Sequence, residues 1–309
     1  MSVIPVKEST TSVDIKFILL LLRLTGNSHI SLHQKEKCLS YMTITWNIFM
    51  ISLKFELAII SSLTAFLVSS AFQVIEMFYF FVRLVTTVQG VSFFLLSRQG
   101  VLDSQFWWKA SDNHALFLGK NITWKRRLFY IFYILASLCA VVYIGTFRVI
   151  ALPGCRQVNS TWFNEINCRA PHLFIIVSMN RIFQNCLTLA YIYINSAILA
   201  TKFERLSHTL STGLSDHDKL SKVEEQRKQY GYLSQCVSSF NDKIGFNTTM
   251  TLLYLMIQVV VKGIYTDNGL PHSSSIDPTL ILSFLGFSLM MYGAICLSEA
   301  VSLQFQTST

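Results

Sequence analysis

The stretch RLFYIFYILASLCAVVYIGTFRVI, residues 127–150, decides how the rest of the chain is interpreted. It holds no charged residue between Arg127 and Arg148. As a helix it is long enough to cross the roughly 30 Å hydrocarbon core of a bilayer. The whole chain has the same character, because 52% of its 309 residues are apolar and only 14% are charged, against about 25% charged in an average soluble domain. The sequence therefore predicts a membrane protein and argues against a soluble enzyme.

Six apolar blocks are long enough to cross a bilayer as helices. They cover residues 43–69, 73–97, 127–150, 172–200, 244–264 and 279–300. We therefore predict an all-α fold, a polytopic membrane helical bundle with six spans. An earlier apolar run, Phe17 to Leu22, is too short to span, and no small-residue cleavage site follows it. This run is predicted to be an uncleaved segment lying along the membrane.

The basic residues in the connections predict the orientation of the bundle. Residues 1–40 hold five Lys or Arg, the 98–127 connection holds six and the 201–243 connection holds seven. The 151–171 loop holds two, and the 265–278 loop holds none. Because cytoplasmic loops carry the excess of Lys and Arg, the N-terminus is predicted to be cytoplasmic, and six spans return the C-terminus to the same side.

This orientation divides the chain into five parts. They are a cytoplasmic N-terminal segment (1–42), spans one to four with the outside loop 151–171 (43–200), a cytoplasmic connection with an amphipathic helix (201–243), spans five and six (244–300), and a cytoplasmic tail (301–309). The formal net charge of +8 lies between the apolar blocks, so the expected partner of the basic residues is the membrane lipid surface and not nucleic acid. We expect a multi-pass protein of the plasma membrane.

The outside loop carries two features that agree with this orientation. Asn159 begins a glycosylation sequon, and Cys155 and Cys168 bracket the same loop, where oxidising conditions permit a disulfide. Two further sequons begin at Asn121 and Asn247. They fall on the cytoplasmic side and at a helix entrance, and we expect neither to be used.

The sequence holds no motif for catalysis. Its seven His residues show no paired metal-ligand spacing, and no Gly-rich phosphate loop or nucleophile elbow occurs. We therefore expect no enzyme, no cofactor and no metal site. A rhodopsin-like receptor is disfavoured because Pro153, Pro171 and Pro278 all lie at span edges. A secondary transporter is disfavoured because neither internal repeats nor Gly/Pro-broken spans at matching positions are found.

The connection before the fifth span contains an amphipathic pattern. Its apolar residues recur at helical spacing and run directly into the span: Val223, Tyr230, Leu233, Val237, Phe240 and Ile244. Glu224 and Lys228, four residues apart, support the same helix on its wet side. Two interpretations are equally open. The helix packs on the underside of its own bundle, or it extends the fifth span into the cytoplasm and offers a seam to another subunit. The preceding segment, from Ser211 to Asp218, is predicted to be a loop.

Three stretches resemble the insect gustatory receptor family of arthropod chemoreceptors. They are LLLLRLTG (Leu19–Gly26) ahead of the first span, LSQCVSSFNDKIGF (Leu233–Phe246) at the entrance to the fifth, and CLSEA (Cys296–Ala300) after the sixth. The resemblance implies a seven-span chemoreceptor with an intracellular N-terminus that works as a ligand-gated cation channel of four subunits, as a homo- or hetero-oligomer. It further implies a small-molecule tastant or other chemical ligand and a role in taste perception.

The chain departs from the family pattern at its end. The family's seventh span carries Thr-Tyr, five apolar residues and Gln-Phe, whereas this sequence ends at Thr309 and has Leu297 and Ser298 where Thr-Tyr would stand. We expect an incomplete gene model, a shortened isoform or a degenerate member that lacks the pore-lining span. The alternatives are a non-conducting regulatory subunit, or an unrelated polytopic transporter or metabotropic receptor.

If the resemblance holds, a small molecule enters a pocket among the outer halves of the helices. The candidates are polar residues at that depth: Tyr143, Thr146, Arg148, Asn180, Arg181, Gln184, Gln258 and Lys262. Our hypothesis is that Asn180, Arg181 and Gln184 form the polar part of the pocket, because polar groups at this depth are costly unless they face a cavity or each other. The alternative is that they bond across helices and bind no ligand.

The first two spans contain charged residues: Lys54, Glu56, Glu76 and Arg83. We expect them to neutralise one another across the hairpin or to snorkel to an interface.

Overall fold

The computed structural model describes residues 13–26, 37–67, 70–99, 122–151, 171–211, 219–267 and 278–307. These residues form seven helices: α1 (Val13–Leu24), α2 (Lys37–Leu67), α3 (Ser70–Arg98), α4 (Trp124–Ala151), α5 (Pro171–Ser211), α6 (Lys219–Asp267) and α7 (Pro278–Thr307). No strand occurs within these ranges. The predicted all-α fold is confirmed, and each predicted span overlaps one of the helices α2 to α7.

Within the described ranges, four stretches are long and apolar enough to cross a membrane, judged by length and composition. They are Phe80–Arg98 in α3, Trp124–Thr146 in α4, Ile175–Ser207 in α5 and Leu280–Ser302 in α7. All four fall within the predicted spans or extend them by a few residues. The bundle is therefore that of a multi-pass membrane protein, while the total of six spans and the orientation stay predictions.

Helix α5 is the central element of the bundle. Almost every side chain between Ile182 and Leu206 is buried, and α5 packs against α1, α4, α6 and α7. A helix surrounded in this way needs apolar residues on all of its faces. The few polar residues on α5 are consequently enclosed by protein and need partners there.

Helix α7 packs on α5 through two glycines seven residues apart. A Cβ added at Gly286 would lie 2.8 Å from Leu189 Cδ1, and one added at Gly293 would lie 3.1 Å from Tyr193 Cδ2. Small residues let two membrane helices approach closely and gain van der Waals contact. The other side of α7 exposes large apolar side chains such as Phe287, as expected of a surface that faces lipid.

Helix α1 lies in the core of the bundle, which differs from the predicted segment along the membrane. Its face of Ile15, Ile18 and Leu22 is almost completely buried. The helix ends at Thr25 and Gly26, where Gly26 has φ +74° and packs against Met50 so closely that a side chain would not fit. The run is too short to span, as predicted, yet its apolar face at three- and four-residue spacing suits insertion between other helices.

The amphipathic stretch before the fifth span forms one continuous helix with it, since α6 runs from Lys219 to Asp267 without a break. Its apolar face packs on the chain itself: Leu233 is fully buried against α5 and α7, and the rings of Phe203 and Tyr230 lie 5.8 Å apart. The packing of Leu233 agrees with the first interpretation and the continuous helix with the second, while the seam to another subunit stays a prediction. The predicted loop lies at residues 212–218, outside the described residues, and Ser211 ends α5.

The two ends of the bundle differ in charge. We call the end at which α4 begins and α5 ends the basic end, because it carries Lys125, Arg126, Arg127, Lys202 and Arg205. Helix α6 begins at the same end, where it packs on α5.

Candidate functional site

A polar face interrupts the apolar surface of α5 near the middle of the bundle. Arg181, Gln184, Asn185 and Thr188 occupy positions i, i+3, i+4 and i+7, which share one side of a helix. Gln184 and Asn185 are 1% exposed, and Thr188 is fully buried. Burying amides and a hydroxyl in protein is unfavourable unless they form hydrogen bonds, so this face is the first candidate for a functional site.

Helix α2 places a lysine against this face. Lys54 is 3% exposed, and its Nζ donates a hydrogen bond of 2.6 Å to Gln184 Oε1. The sequence predicted that the charges of the first two spans neutralise one another or snorkel. The structure shows a neutral amide on α5 as one partner of Lys54, and Glu56 is exposed. The side chain of Glu76 lies outside the described residues, so the neutralisation across the hairpin stays a prediction.

Helix α6 closes the face from a third side. Tyr254 lies against Arg181 and Asn185, and Gln258, one turn further along α6, is also buried. Asn185 Nδ2 donates to the carbonyl oxygen of Arg181 on its own helix at 2.9 Å. We call Lys54, Arg181, Gln184, Asn185, Thr188 and Tyr254 the mid-bundle cluster.

The hydrogen bonding of the mid-bundle cluster is incomplete. Within the described part of the chain, Gln184 Nε2, Asn185 Oδ1 and Thr188 Oγ1 are buried without a partner. A buried polar atom that forms no hydrogen bond costs about 1–3 kcal/mol. The cluster therefore holds one donor group, one acceptor and one hydroxyl that a bound molecule would satisfy.

The other predicted candidates divide into three groups. Tyr143 and Thr146 are exposed on the outer face of α4, and Thr146 donates only to carbonyls of its own helix, so the structure does not bring them to the cluster. Asn180 Nδ2 donates to the carbonyl oxygen of Thr25 at 3.0 Å and holds the end of α1. The remaining residues fall outside what the structure describes: the side chains of Arg148 and Lys262, and the loop residues Cys155, Asn159 and Cys168.

The sequon at Asn247 is not accessible, as expected from the sequence. Asn247 is fully buried, and its Nδ2 donates to Ser92 Oγ on α3 at 3.0 Å.

Four members of the cluster were not among the predicted site residues: Lys54, Asn185, Thr188 and Tyr254. The positions of Asn185 and Thr188 were available from spacing, because polar residues four and seven positions after Arg181 must share its face. Lys54 and Tyr254 reach the cluster from other helices, and only the packing of the bundle shows that they do.

A second polar region lies at the basic end, and its charges are paired. The Arg126 guanidinium donates to both carboxylate oxygens of Glu204 and, at 2.9 Å, to Thr201 Oγ1. Asp14 of α1 accepts hydrogen bonds from Arg127 Nη2 at 2.9 Å and from the Tyr130 hydroxyl. We call these six residues the basic-end cluster. Its pairs join α5 and α1 to the start of α4, which is a structural role.

No three His, Cys, Asp or Glu side chains within the described ranges come together in a way that would hold a metal ion.

Comparison with known proteins identifies solved structures that share this fold. No protein-family model matches the sequence, and no curated protein is significantly similar to it. The solved structure of the insect olfactory receptor OR5 from Machilis hrabei is similar, with a TM-score of 0.70, 12% sequence identity, and 94% of this chain and 81% of that chain covered. The structure of the same receptor in complex with eugenol gives a TM-score of 0.57 and 15% identity over the same shares. The chain therefore has the fold of a solved arthropod chemoreceptor, which confirms at the level of the fold the resemblance drawn from its sequence.

Proposed function

We propose that this chain is a subunit of a chemosensory receptor of the gustatory type, a ligand-gated cation channel of the plasma membrane that binds a small molecule at the mid-bundle cluster. The observation that carries the proposal is the buried polar face of α5 with its three partnerless atoms. The likeness to a receptor solved with eugenol supports a small organic ligand. The tastant role and the assembly of four subunits follow from the sequence resemblance alone.

The position of the cluster suits ligand-dependent gating. Gln184, Lys54 and Tyr254 come from α5, α2 and α6, so one bound molecule would contact three helices. A ligand shifts a conformational equilibrium only through different contacts in the two states. A molecule that bridges three helices satisfies that condition if their separation differs between the closed and open channel.

Helix α6 offers the route from the cluster to the basic end. It is one continuous helix from Lys219 to Asp267, with Tyr254 at the cluster and Tyr230 packed on Phe203 near the basic end. A displacement at Tyr254 would be carried along this helix to the basic end, where its spacing leaves open a seam to another subunit.

The test is current recording from cells that express the chain, alone and with full-length chemoreceptors, during application of a panel of small molecules. We expect Gln184→Leu to raise the half-maximal concentration of an active ligand at least tenfold, which equals about 1.4 kcal/mol. Thr146→Val on the exposed face of α4 is the control and should leave that concentration within twofold. Unchanged potency in Gln184→Leu, with normal surface expression, would contradict the proposed site.

The same recordings separate the proposal from its alternatives. Ligand-evoked cation current supports a channel subunit. Suppression or modulation of a partner's current, without current from the chain alone, identifies a regulatory subunit. Concentration-dependent uptake identifies a transporter, and G-protein signalling without current identifies a metabotropic receptor.

A further inference from the structure

We infer that the end of α1, residues 24–26, fixes α2 to α5 and thereby keeps Lys54 against Gln184. We call these three residues the α1 terminus. Trp46 of α2 and Asn180 of α5 are the positioning residues, since each binds the terminus from its own helix. The terminus would act in this way whatever molecule the mid-bundle cluster binds, so the inference goes beyond the proposed function.

The backbone carbonyl groups at the end of α1 all have partners. The last carbonyl groups of a helix find no donor within the helix itself, and a buried one is costly unless another donor reaches it. The carbonyl oxygens of residues 21–23 accept hydrogen bonds from the α1 terminus itself. The Leu24 carbonyl oxygen accepts from Trp46 Nε1 at 3.2 Å, and the Thr25 carbonyl oxygen accepts from Asn180 Nδ2 at 3.0 Å. Two consecutive carbonyl groups therefore join α1 to two different helices.

The contacts of the α1 terminus lie next to the hydrogen bond between Lys54 and Gln184. Along α2, Trp46 and Met50 contact the terminus. Lys54 follows Met50 by one turn and donates to Gln184 at 2.6 Å. Along α5, Asn180 binds the terminus and Gln184 follows it by one turn. Because residues four apart lie on the same side of a helix and about 6 Å apart along its axis, the two contacts are neighbours on both helices.

Little else joins α2 to α5. Among the described residues, α2 packs along α3, and its direct contact with α5 is narrow. Helix α1 packs along α5, and its terminus bonds to both helices. A buried ammonium group gains hydration when it leaves the protein interior. Weakening the terminus should therefore release Lys54 while the rest of the bundle stays packed.

The experiment measures the rate at which the acetyl ester of N-hydroxysuccinimide modifies individual lysines. The full chain is used in lipid nanodiscs without ligand, and mass spectrometry gives the rate at each site. Lys54 is the reporter of the α2–α5 contact. Lys202, also on α5 and 2% exposed, reports general loosening of the bundle. Lys125 and Lys243 are exposed and report the activity of the reagent.

Two substitutions weaken the terminus from opposite sides. Trp46→Phe keeps an aromatic ring and removes the N–H donor, and Asn180→Leu replaces the amide by an apolar group of similar size. We expect each to accelerate modification of Lys54 about tenfold, which corresponds to about 1.4 kcal/mol in the free energy of local opening. Modification of Lys202 should stay within about twofold of the parent chain, because its surroundings at the basic end are unchanged.

Two further variants serve as controls. Trp124→Phe makes the same substitution at a tryptophan that is 66% exposed, and it should leave Lys54 as in the parent. Asn180→Gln keeps an N–H donor for the Thr25 carbonyl oxygen and should restore slow modification of Lys54 relative to Asn180→Leu. This rescue is expected only if the hydrogen bond, and not the volume of the side chain, holds the terminus.

The outcomes separate positioning from general stability. Unchanged modification of Lys54 in both Trp46→Phe and Asn180→Leu would overturn the inference. Equal acceleration at Lys54 and Lys202 would also overturn it, because the terminus would then support the whole bundle. If Asn180→Leu fails to fold, Trp46→Phe decides alone. The proposed function is judged separately, by the dependence of ligand-evoked current on Gln184.

Discussion

The mid-bundle cluster and the basic-end cluster are both buried polar regions on the same central helix, but they are completed in different ways. At the basic end, Arg126 meets Glu204 and Arg127 meets Asp14, so each of these cations lies against a carboxylate. At mid-bundle, Lys54 meets the neutral amide of Gln184, and three polar atoms have no partner in the described structure. The charges at the basic end are paired, although Arg127 Nε has no hydrogen-bond partner in the described structure, and that region is accounted for by stability. The partnerless atoms at mid-bundle belong to neutral side chains and are positions where a bound molecule or an ordered water would form hydrogen bonds.

The largest expected effect comes from breaking the pairing at the basic end. Glu204→Leu leaves the Arg126 guanidinium, whose side chain is 10% exposed, without its carboxylate. Removing one partner of a buried ion pair costs several kcal/mol, and because Glu204 is partly exposed we expect a loss of about 3 kcal/mol in the free energy of unfolding. Detergent-induced unfolding in mixed micelles measures this loss.

The double variant Arg126→Met/Glu204→Leu is the control for this prediction. It replaces both charges by apolar side chains of similar length and should recover most of the lost stability, because no unpaired charge stays buried. If Glu204→Leu alone unfolds like the parent chain, the basic-end cluster is not the structural region that its pairing indicates.

A smaller and more local effect is expected at helix α1. Asp14→Asn removes the charge that receives hydrogen bonds from Arg127 and Tyr130, and hydrogen bonds to charged groups contribute about 1.5–3 kcal/mol. Because α1 is short and Asp14 holds its first turn on α4, we expect faster amide hydrogen exchange in α1 and little change in α5. Lys16→Gln, on the exposed face of the same turn, should leave exchange unchanged. Equal acceleration in both helices would show that Asp14 supports the whole bundle and not α1 alone.

The sequence predicted most of the helices because α2 to α5 and α7 each contain a long apolar block, whereas the first half of α6 was predicted from the helical spacing of its apolar residues. The blocks at 127–150 and 279–300 overlap α4 and α7 closely. Burial of α1 and the central place of α5 were not predictable in this way, since both depend on which helices pack around them. Residues 54 and 184 are 130 positions apart, and hydrophobic periodicity within either helix gives no information on that contact.

For the candidate site, the sequence indicated how deep a residue lies along its span but not which side of its helix faces the interior of the bundle. Depth along the span indicated Arg181 and Gln184, which lie on the buried polar face of α5. It also indicated Tyr143 and Thr146, which are exposed, while Ile144 between them is buried and Gly145 packs against Met179. One residue turns an α-helix by about 100°, so a residue at the right depth faces the interior of the bundle only if that side of the helix is turned inward. Spacing from Arg181 would have supplied that rotation for α5, because Asn185 and Thr188 repeat its face.

The smallest expected effect comes from a pair of matched substitutions on α5, and it tests the comparison most directly. Thr201 Oγ1 accepts a hydrogen bond from Arg126 at 2.9 Å and donates to the Ala197 carbonyl oxygen at 2.8 Å, whereas Thr188 Oγ1 has no partner in the described structure. Both threonines are buried, and valine has nearly the same shape. Thr201→Val should therefore lower the free energy of unfolding by about 1–2 kcal/mol, because it leaves an arginine N–H unsatisfied. Thr188→Val should change the free energy of unfolding by less than about 0.5 kcal/mol or increase it, because an unsatisfied hydroxyl is replaced by a methyl group.

Unfolding of the two variants in the same micelles, without ligand, measures this difference. If Thr188→Val lost as much stability as Thr201→Val, the Thr188 hydroxyl would serve the fold, and the contrast between a paired structural region and an open binding region would not hold.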